Sequence, residues 1–112
     1  MIIGLTGKNA AGKGEAARFL QERGFHYASL SDALRAELRR RRVAPTRDHL
    51  TRLGNDLREK HGPGVLAERI LKQLGESQNY VVDSFRNPSE VEVFRGRSDF
   101  TLWAVIASPA VS

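Results

Sequence analysis

The chain has 112 residues, 40% hydrophobic and 28% charged, a composition typical of one globular domain with a single core. It contains no cysteine, which excludes disulfides and thiolate metal sites, and no apolar run approaches the ~20 residues of a membrane-spanning helix. Eighteen Lys and Arg against 13 Asp and Glu give a formal net charge of +5, which favours anionic partners. Because the apolar start lacks a basic leader, we expect a cytoplasmic protein without membrane contact, organised as one domain over residues 1–112.

The first half of the chain predicts two strands and several helices. The apolar run at residues 2–5 indicates a buried strand, and a glycine-rich turn leads from it into a helix that ends at Gly24. A second short strand is predicted over residues 25–28. Ser31 and Thr46 can each cap a helix, because their side-chain oxygens can accept a backbone N–H at a helix start.

The second half predicts two more helices and two more strands. Pro63, within a GPG break, suits the first turn of a helix, and the third strand ends at Asp83. The sequence NPSE at residues 87–90 combines a cap, a first-turn proline and a third-position glutamate, and so opens another helix. Residues 100–106 predict a fourth strand with Trp103 in the core. This alternation of strands and helices predicts a parallel α/β sheet with right-handed crossovers.

The sequence GKNAAGKG at residues 7–14 has the spacing of a phosphate-binding loop, with two glycines separated by four residues and followed by Lys13. Glycines let backbone N–H groups turn towards a phosphate, the next helix adds the positive end of its dipole, and the lysine adds a cation. An ordinary glycine-rich turn with a solvated lysine is the alternative. Position 14 holds glycine where a serine or threonine is expected. The predicted nucleotide-binding residues are Gly7, Lys8, Asn9, Ala10, Ala11, Gly12, Lys13, Gly14 and Glu15.

Three segments resemble adenylate kinases and related nucleoside monophosphate kinases. The loop GKNAAGKG resembles theirs, in which a glycine often follows the lysine. SLSDALRAE, residues 29–37, resembles the segment that opens their monophosphate-binding helix, with Asp32, Leu34 and Arg35 on the matching positions. Glu15 differs from the family, which usually has a threonine there that contacts phosphate.

The third segment is VVDSFRNPSEVEVFR at residues 81–95, which resembles their strand-end motif of aspartate, glycine, phenylalanine, proline and arginine. Asp83 and Phe85 match, a serine stands in place of the glycine, and Arg86 comes one position early because the proline is missing. A closer likeness is to small archaeal and bacterial P-loop proteins grouped near adenylate kinase and dephospho-coenzyme A kinase. Their third strand is followed by glutamate, valine and glutamate, which residues 90–92 match.

This resemblance covers nearly the whole chain and implies a fold. The expected architecture is a three-layer α/β/α P-loop NTPase fold with a mostly parallel sheet in strand order 2-3-1-4, shortened at its C-terminal end. Residues 31–75 are then expected to form a helical insertion that binds the acceptor. In adenylate kinases a lid segment with arginines, a last strand and a helix follow the fourth strand, whereas this sequence stops at VIASPAVS.

The resemblance also implies ATP and Mg²⁺ as cofactors and gives roles to charged residues outside the loop. Lys13, Asp83 and Arg86 are the predicted catalytic residues, with Asp83 holding Mg²⁺ directly or through water. Asp32, Arg35 and Arg86 are the predicted substrate-binding residues. The two arginines can each grip a phosphate with two bonds, and Asp32 is expected to orient the acceptor or to pair with Arg35. The alternatives are a turn cap for Asp83, a helix start for Asp32, and solvated surface charges for the arginines.

Two functions of different class follow. The first is an ATP-dependent phosphotransferase that acts on a small monophosphate acceptor, either a nucleoside monophosphate or a dephospho-coenzyme A-like molecule. The second is a nucleotide-binding module, or a truncated kinase core, without efficient catalysis. Nucleic-acid binding rests only on net charge, because the arginine run at residues 39–42 covers every helix face without aromatic residues and reads as solvated. A homodimer that covers a sheet edge stays an open alternative.

Overall fold

The structure is a computed structural model that describes residues 1–7 and 10–105, apart from the side chains of Ala10 and Ala11. Two predicted nucleotide-binding residues, Lys8 and Asn9, and the end of the predicted fourth strand, Ile106, lie outside the described residues. The elements in chain order are β1 Ile2–Thr6, α1 Ala10–Gln21, β2 His26–Ser29, α2 Ser31–Arg40, α3 Arg47–His61, α4 Val65–Gln73, β3 Tyr80–Asp83, α5 Pro88–Arg95 and β4 Phe100–Ala104.

The four strands form one parallel sheet in the order β2-β3-β1-β4. Strand β1 lies in the middle, where Ile2 is in register with Tyr80 of β3 on one side and with Phe100 of β4 on the other. Parallel strands need crossover connections, which the helices provide. The predicted parallel sheet and the strand order 2-3-1-4 are confirmed.

Helices cover both faces of the sheet, because successive side chains of a buried strand point to opposite sides. On one face, Ile3 and Leu5 of β1 pack with Ala17 and Leu20 of α1. On the other face, Ile2 belongs to a larger core that includes buried side chains of α2, α3, α4 and α5. The predicted three-layer α/β/α architecture is therefore confirmed.

Three aromatic rings fill the space between α5 and the sheet. Phe94 is fully buried and its ring meets those of Phe85 and Phe100 at centroid distances of 5.4 and 5.6 Å. Gly4 of β1 lies beneath them, and a Cβ there would come within 2.9 Å of the Phe100 ring. The prediction that Trp103 lies in the core is wrong, because this residue is 37% exposed on β4, the strand paired only with β1 among the described strands.

The helix starts confirm two predictions and contradict two. The Thr46 side chain accepts the backbone N–H of His49 at 3.2 Å at the start of α3, and Asn87 forms the predicted capping box at the start of α5. Ser31 does not cap α2; it is the first residue of the helix, and Leu30 occupies the cap position. Pro63 precedes the cap residue of α4 and so lies outside the first turn.

Three helices, α2, α3 and α4, follow one another between β2 and β3 without an intervening strand. They account for most of the predicted insertion at residues 31–75, whose role in acceptor binding stays a prediction. Within the described part of the chain, none of the helices combines the length and the apolar character that crossing a bilayer requires.

Candidate functional site

The predicted phosphate loop lies between the central strand β1 and helix α1. Gly7 follows β1 with φ of +146°, and a Cβ at this position would come within 2.3 Å of the Val105 carbonyl oxygen. Both the backbone conformation and the close contact require glycine. Helix α1 begins at Ala10, which brings Lys13 into its first turns. The fold therefore requires a glycine at position 7, the first glycine of the motif.

Lys13 faces Asp83 across the carboxyl end of the sheet. Its Nζ lies 3.6 Å from Oδ1 of Asp83, and the two side chains are 17% and 18% exposed. The structure thus joins two of the three predicted catalytic residues, which are 70 positions apart in the sequence. Lys13 is therefore a largely buried residue of α1 and not a solvated surface lysine.

Asp83 ends strand β3, and its carboxylate accepts two hydrogen bonds besides forming the ion pair with Lys13. The backbone N–H of Ser84 donates to Oδ1 at 2.7 Å, and the hydroxyl of Tyr27 donates to Oδ2 at 3.4 Å. Burial of that hydroxyl, followed by the negative charge of Asp83, raises the pKa of Tyr27 above its usual value. Tyr27 therefore stays protonated and acts as a hydrogen-bond donor to the carboxylate at neutral pH.

Gly14 and Glu15 lie on the exposed side of α1. A Cβ added at Gly14 would meet no atom of the described residues within 4 Å, so this part of the structure leaves room for the hydroxyl residue that the motif usually carries. The roles of both residues in nucleotide binding stay predictions.

The two predicted acceptor arginines lie on one cavity of about 650 Å³. Arg35 reaches it from α2 and Arg86 from the segment between β3 and α5. Asp32 does not line this cavity; it forms an ion pair with Arg35 at 3.1 Å and accepts the backbone N–H of Ser29 at 3.1 Å. The contacts of Asp32 are those of a residue that organises the start of α2 and orients Arg35.

Sequence reasoning missed two further arginines on the same cavity, Arg47 and Arg58. Both belong to α3, which carries no recognisable motif. Their spacing in the sequence could have indicated them. Five cavity-lining residues recur along α3 at intervals that place them on one face of the helix. These five residues are Arg47, Leu50, Thr51, Asn55 and Arg58.

Glu90 was predicted only as part of a helix cap, and the structure gives it a larger role. Its side chain is fully buried and forms an ion pair with Arg58, with 3.1 Å between Nη2 and Oε2. Its other oxygen accepts the backbone N–H groups of Arg86 at 2.7 Å and Asn87 at 3.3 Å. One carboxylate therefore fixes both a guanidinium and a backbone segment at the cavity wall.

Asp83 places one carboxylate at the carboxyl end of the sheet, and its role as a metal ligand stays a prediction. Among the described residues, no group of three or more His, Cys, Asp or Glu side chains could hold a metal by itself. Mg²⁺ at phosphate sites typically keeps several waters and uses one or two carboxylates together with phosphate oxygens. A single carboxylate at the strand end, beside Lys13, fits that requirement.

Comparison with known proteins identifies relatives for most of the chain. The family described as AAA domain matches residues 6–105. The "UPF0200 protein" of Methanothrix thermoacetophila is 36% identical over 109 residues, which cover 96% of this chain and 60% of that protein. The one from Pyrococcus abyssi is 36% identical over 99 residues, which cover 85% of this chain and 53% of that protein. The chain thus spans little more than half the length of these relatives, whose names state no substrate.

Proposed function

Because the chain belongs to the AAA domain family of P-loop proteins, we propose that it is an ATP-dependent phosphotransferase acting on a small monophosphate ester. The observation that carries this proposal is the ion pair between Lys13 and Asp83 at the carboxyl end of the sheet. Open α/β sheets bind ligands at this edge, and the pair provides a cation for phosphate and a carboxylate for a metal. The arginine-lined cavity supports the second half of the proposal, an anionic acceptor.

In this proposal the backbone around Gly7 and the start of α1 bind the phosphates of ATP, and Lys13 contacts the β and γ phosphates. Asp83 holds Mg²⁺, which supplies charge neutralisation when it is bound. Arg35 and Arg86 hold the acceptor phosphate so that one of its oxygens faces the γ-phosphorus. That oxygen forms the new bond while the bond from the γ-phosphorus to the bridging oxygen breaks, and ADP leaves. With dephospho-coenzyme A the attacking oxygen is a hydroxyl oxygen instead, and its proton passes to solvent. Positioning and charge, rather than a general base, then account for catalysis.

A single-turnover assay tests the proposal. Radiolabelled ATP is mixed with the protein, Mg²⁺ and a set of acceptors that contains nucleoside monophosphates and dephospho-coenzyme A. We expect labelled product, and we expect Arg86→Gln to slow its formation by about 100-fold, since a charge-assisted contact to phosphate is worth roughly 3 kcal/mol.

Arg52→Gln is the matched control, because Arg52 is an exposed arginine of α3 that does not line the cavity. Its rate should equal that of the unchanged protein. Nucleotide binding without any labelled product would favour the alternative function, a nucleotide-binding module. Absence of both binding and product would reject the proposal.

A further inference from the structure

Ser29 is the last residue of β2 and is only 4% exposed. Its hydroxyl donates a hydrogen bond to the hydroxyl oxygen of Ser84 at 2.6 Å and accepts the backbone N–H of Ser31 at 3.2 Å. Its own backbone N–H donates to Oδ2 of Asp32 at 3.1 Å. A buried polar network in which the groups are paired holds its members in one arrangement. Ser29 therefore connects the turn after β3 with the start of α2.

One side of this network leads to Arg35. The carboxylate of Asp32 uses Oδ2 for the backbone N–H of Ser29 and Oδ1 for the ion pair with Arg35, whose Nη1 lies 3.1 Å away. Asp32 and Arg35 are three positions apart on α2, and residues at this spacing are neighbours on a helix surface. Arg35 in turn lines the arginine-lined cavity. The end of β2 thus contributes to the placement of one proposed acceptor arginine.

The other side of the network leads to Arg86. Ser84 precedes Arg86 by two positions and has φ of +72°, a conformation that persists in residues other than glycine where the surrounding structure fixes it. Beyond this turn, Oε1 of Glu90 accepts the backbone N–H of Arg86 at 2.7 Å. The backbone that carries Arg86 is thus held from two directions, by Ser29 through Ser84 and by Glu90. The Arg86 side chain lines the same cavity as Arg35.

We propose that Ser29 and Ser84 are positioning residues for the acceptor phosphate, and that their hydroxyl–hydroxyl bond holds the segment carrying Arg86 beside the helix start carrying Arg35. Neither serine lines the cavity in the described part of the chain, so both act through the two arginines. Such placement matters because a displacement of about 1 Å can cost roughly 100-fold in rate. The inference rests on the proposed function for the identity of the acceptor, a monophosphate ester.

Ser84→Gly separates a positioning role from a purely structural one. It removes the hydroxyl, and glycine adopts a positive φ freely, so we expect the midpoint of urea unfolding to change little. Calorimetric titration without ATP uses AMP and dephospho-coenzyme A as probes. The affinity for whichever binds more tightly should fall about tenfold, or about 1.4 kcal/mol, the size of one lost hydrogen bond. ATP affinity should stay unchanged, because the backbone N–H that Asp83 accepts is kept.

A double-variant cycle assigns the effect to the bond between the two hydroxyls. Ser29→Ala removes this bond from its other end and should also weaken probe binding about tenfold. Because both changes break the same bond, the double variant should lose about tenfold as well. A loss of about 100-fold in the double variant would show that the hydroxyls act independently and would overturn the inference. Ser98→Gly is the matched control, an exposed serine in the turn before β4, and should bind the probe as the unchanged protein does.

Other results overturn the inference just as directly. They are unchanged probe affinity in Ser84→Gly, an equal loss of ATP affinity in that variant, or binding of neither probe by the unchanged protein. Failure of the proposed function is distinguishable, because it is measured by transfer from ATP. Probe binding that depends on both serines, without any transfer, would support the inference and reject the transferase. Transfer with an unchanged acceptor KM in both serine variants would do the reverse.

Discussion

Two ion pairs connect a helix to the segment that runs from β3 into α5, and they differ in how firmly they are held. Arg58 and Glu90 are 3.1 Å apart, Glu90 is fully buried, and its carboxylate also accepts two backbone N–H groups. Lys13 and Asp83 are 3.6 Å apart, beyond hydrogen-bond distance, with both side chains partly exposed.

This difference separates a structural pair from an exchangeable one. Removing a fully buried carboxylate that also accepts backbone N–H groups costs several kcal/mol, whereas an ion pair beyond hydrogen-bond distance contributes less to stability. Lys13 can therefore leave Asp83 for a phosphate at small cost, while Glu90 keeps Arg58 in place with or without a ligand. We expect the Lys13–Asp83 pair to matter for ligand binding and the Arg58–Glu90 pair to matter for folding.

The largest expected effect comes from removing the buried carboxylate. Glu90→Ala should lower the free energy of unfolding by about 3–5 kcal/mol, because Arg58 loses its partner and two backbone N–H groups lose their acceptor. Urea unfolding measures the change. Glu92→Ala is the matched control on α5, since Glu92 is 69% exposed and forms an exposed ion pair with Arg95. A loss below about 1 kcal/mol for Glu90→Ala would contradict the structural role.

Lys13→Ala tests the other side of the comparison. It should weaken ATP binding by about 30-fold or more, which corresponds to about 2 kcal/mol, and change the unfolding free energy by less than about 1 kcal/mol. Calorimetric titration and urea unfolding measure the two quantities. Lys60→Ala removes another paired lysine, from the exposed ion pair with Asp56 on α3, and should leave ATP binding unchanged. Equal ATP affinity in both variants would reject the loop assignment.

Asp83→Asn tests whether Asp83 of the exchangeable pair binds a metal ion. The amide keeps the shape of the side chain and loses its charge. We expect ATP affinity to fall about tenfold in Mg²⁺ and to stay equal or rise in EDTA, because the carboxylate attracts the metal and repels the phosphates. The same titration with Asp56→Asn serves as the control. A loss of the same size with and without Mg²⁺ would speak against a metal role for Asp83.

The smallest effect is expected at Gly14, beside the exchangeable pair. Gly14→Ser should raise the unfolding free energy by about 0.5 kcal/mol, because serine is a better helix former than glycine and its Cβ would meet no atom of the described part of the chain within 4 Å. Gly7→Ser is the contrasting change and should destabilise the fold, since its Cβ would lie 2.3 Å from the Val105 oxygen. Thermal unfolding of both variants measures the difference. Destabilisation by Gly14→Ser would show that this position also depends on glycine.

Patterns local in the sequence predicted most of the fold. Apolar runs and turn residues located the strands and helices, and the resemblance to adenylate kinases gave the strand order that the structure confirms. Trp103 was misplaced because β-rich composition cannot tell a central strand from an edge strand. Ser31 was misplaced because its neighbours Ser29 and Asp32 form the hydrogen bonds at the start of α2.

The candidate site was predictable only where a motif marks it. Lys13, Asp83, Arg35 and Arg86 lie in recognisable segments, and the structure brings them to one edge of the sheet and one cavity. Arg58 has no such marker. Its ion pair with Glu90 joins residues 32 positions apart, and that contact depends on how α3 and α5 each pack against α4. Tertiary packing of this kind cannot be predicted from the local sequence pattern.

Ser84, directly after Asp83, has φ of +72°, a conformation that favours glycine. Its hydroxyl accepts a hydrogen bond from the Ser29 hydroxyl at 2.6 Å, which joins this turn to the end of β2. A serine here costs roughly 1–2 kcal/mol of backbone strain. It also restricts the unfolded chain more than glycine does, so less conformational entropy is lost when the turn forms. The chain thus keeps the shape of a glycine turn while ordering the segment before Arg86 at a lower entropic cost.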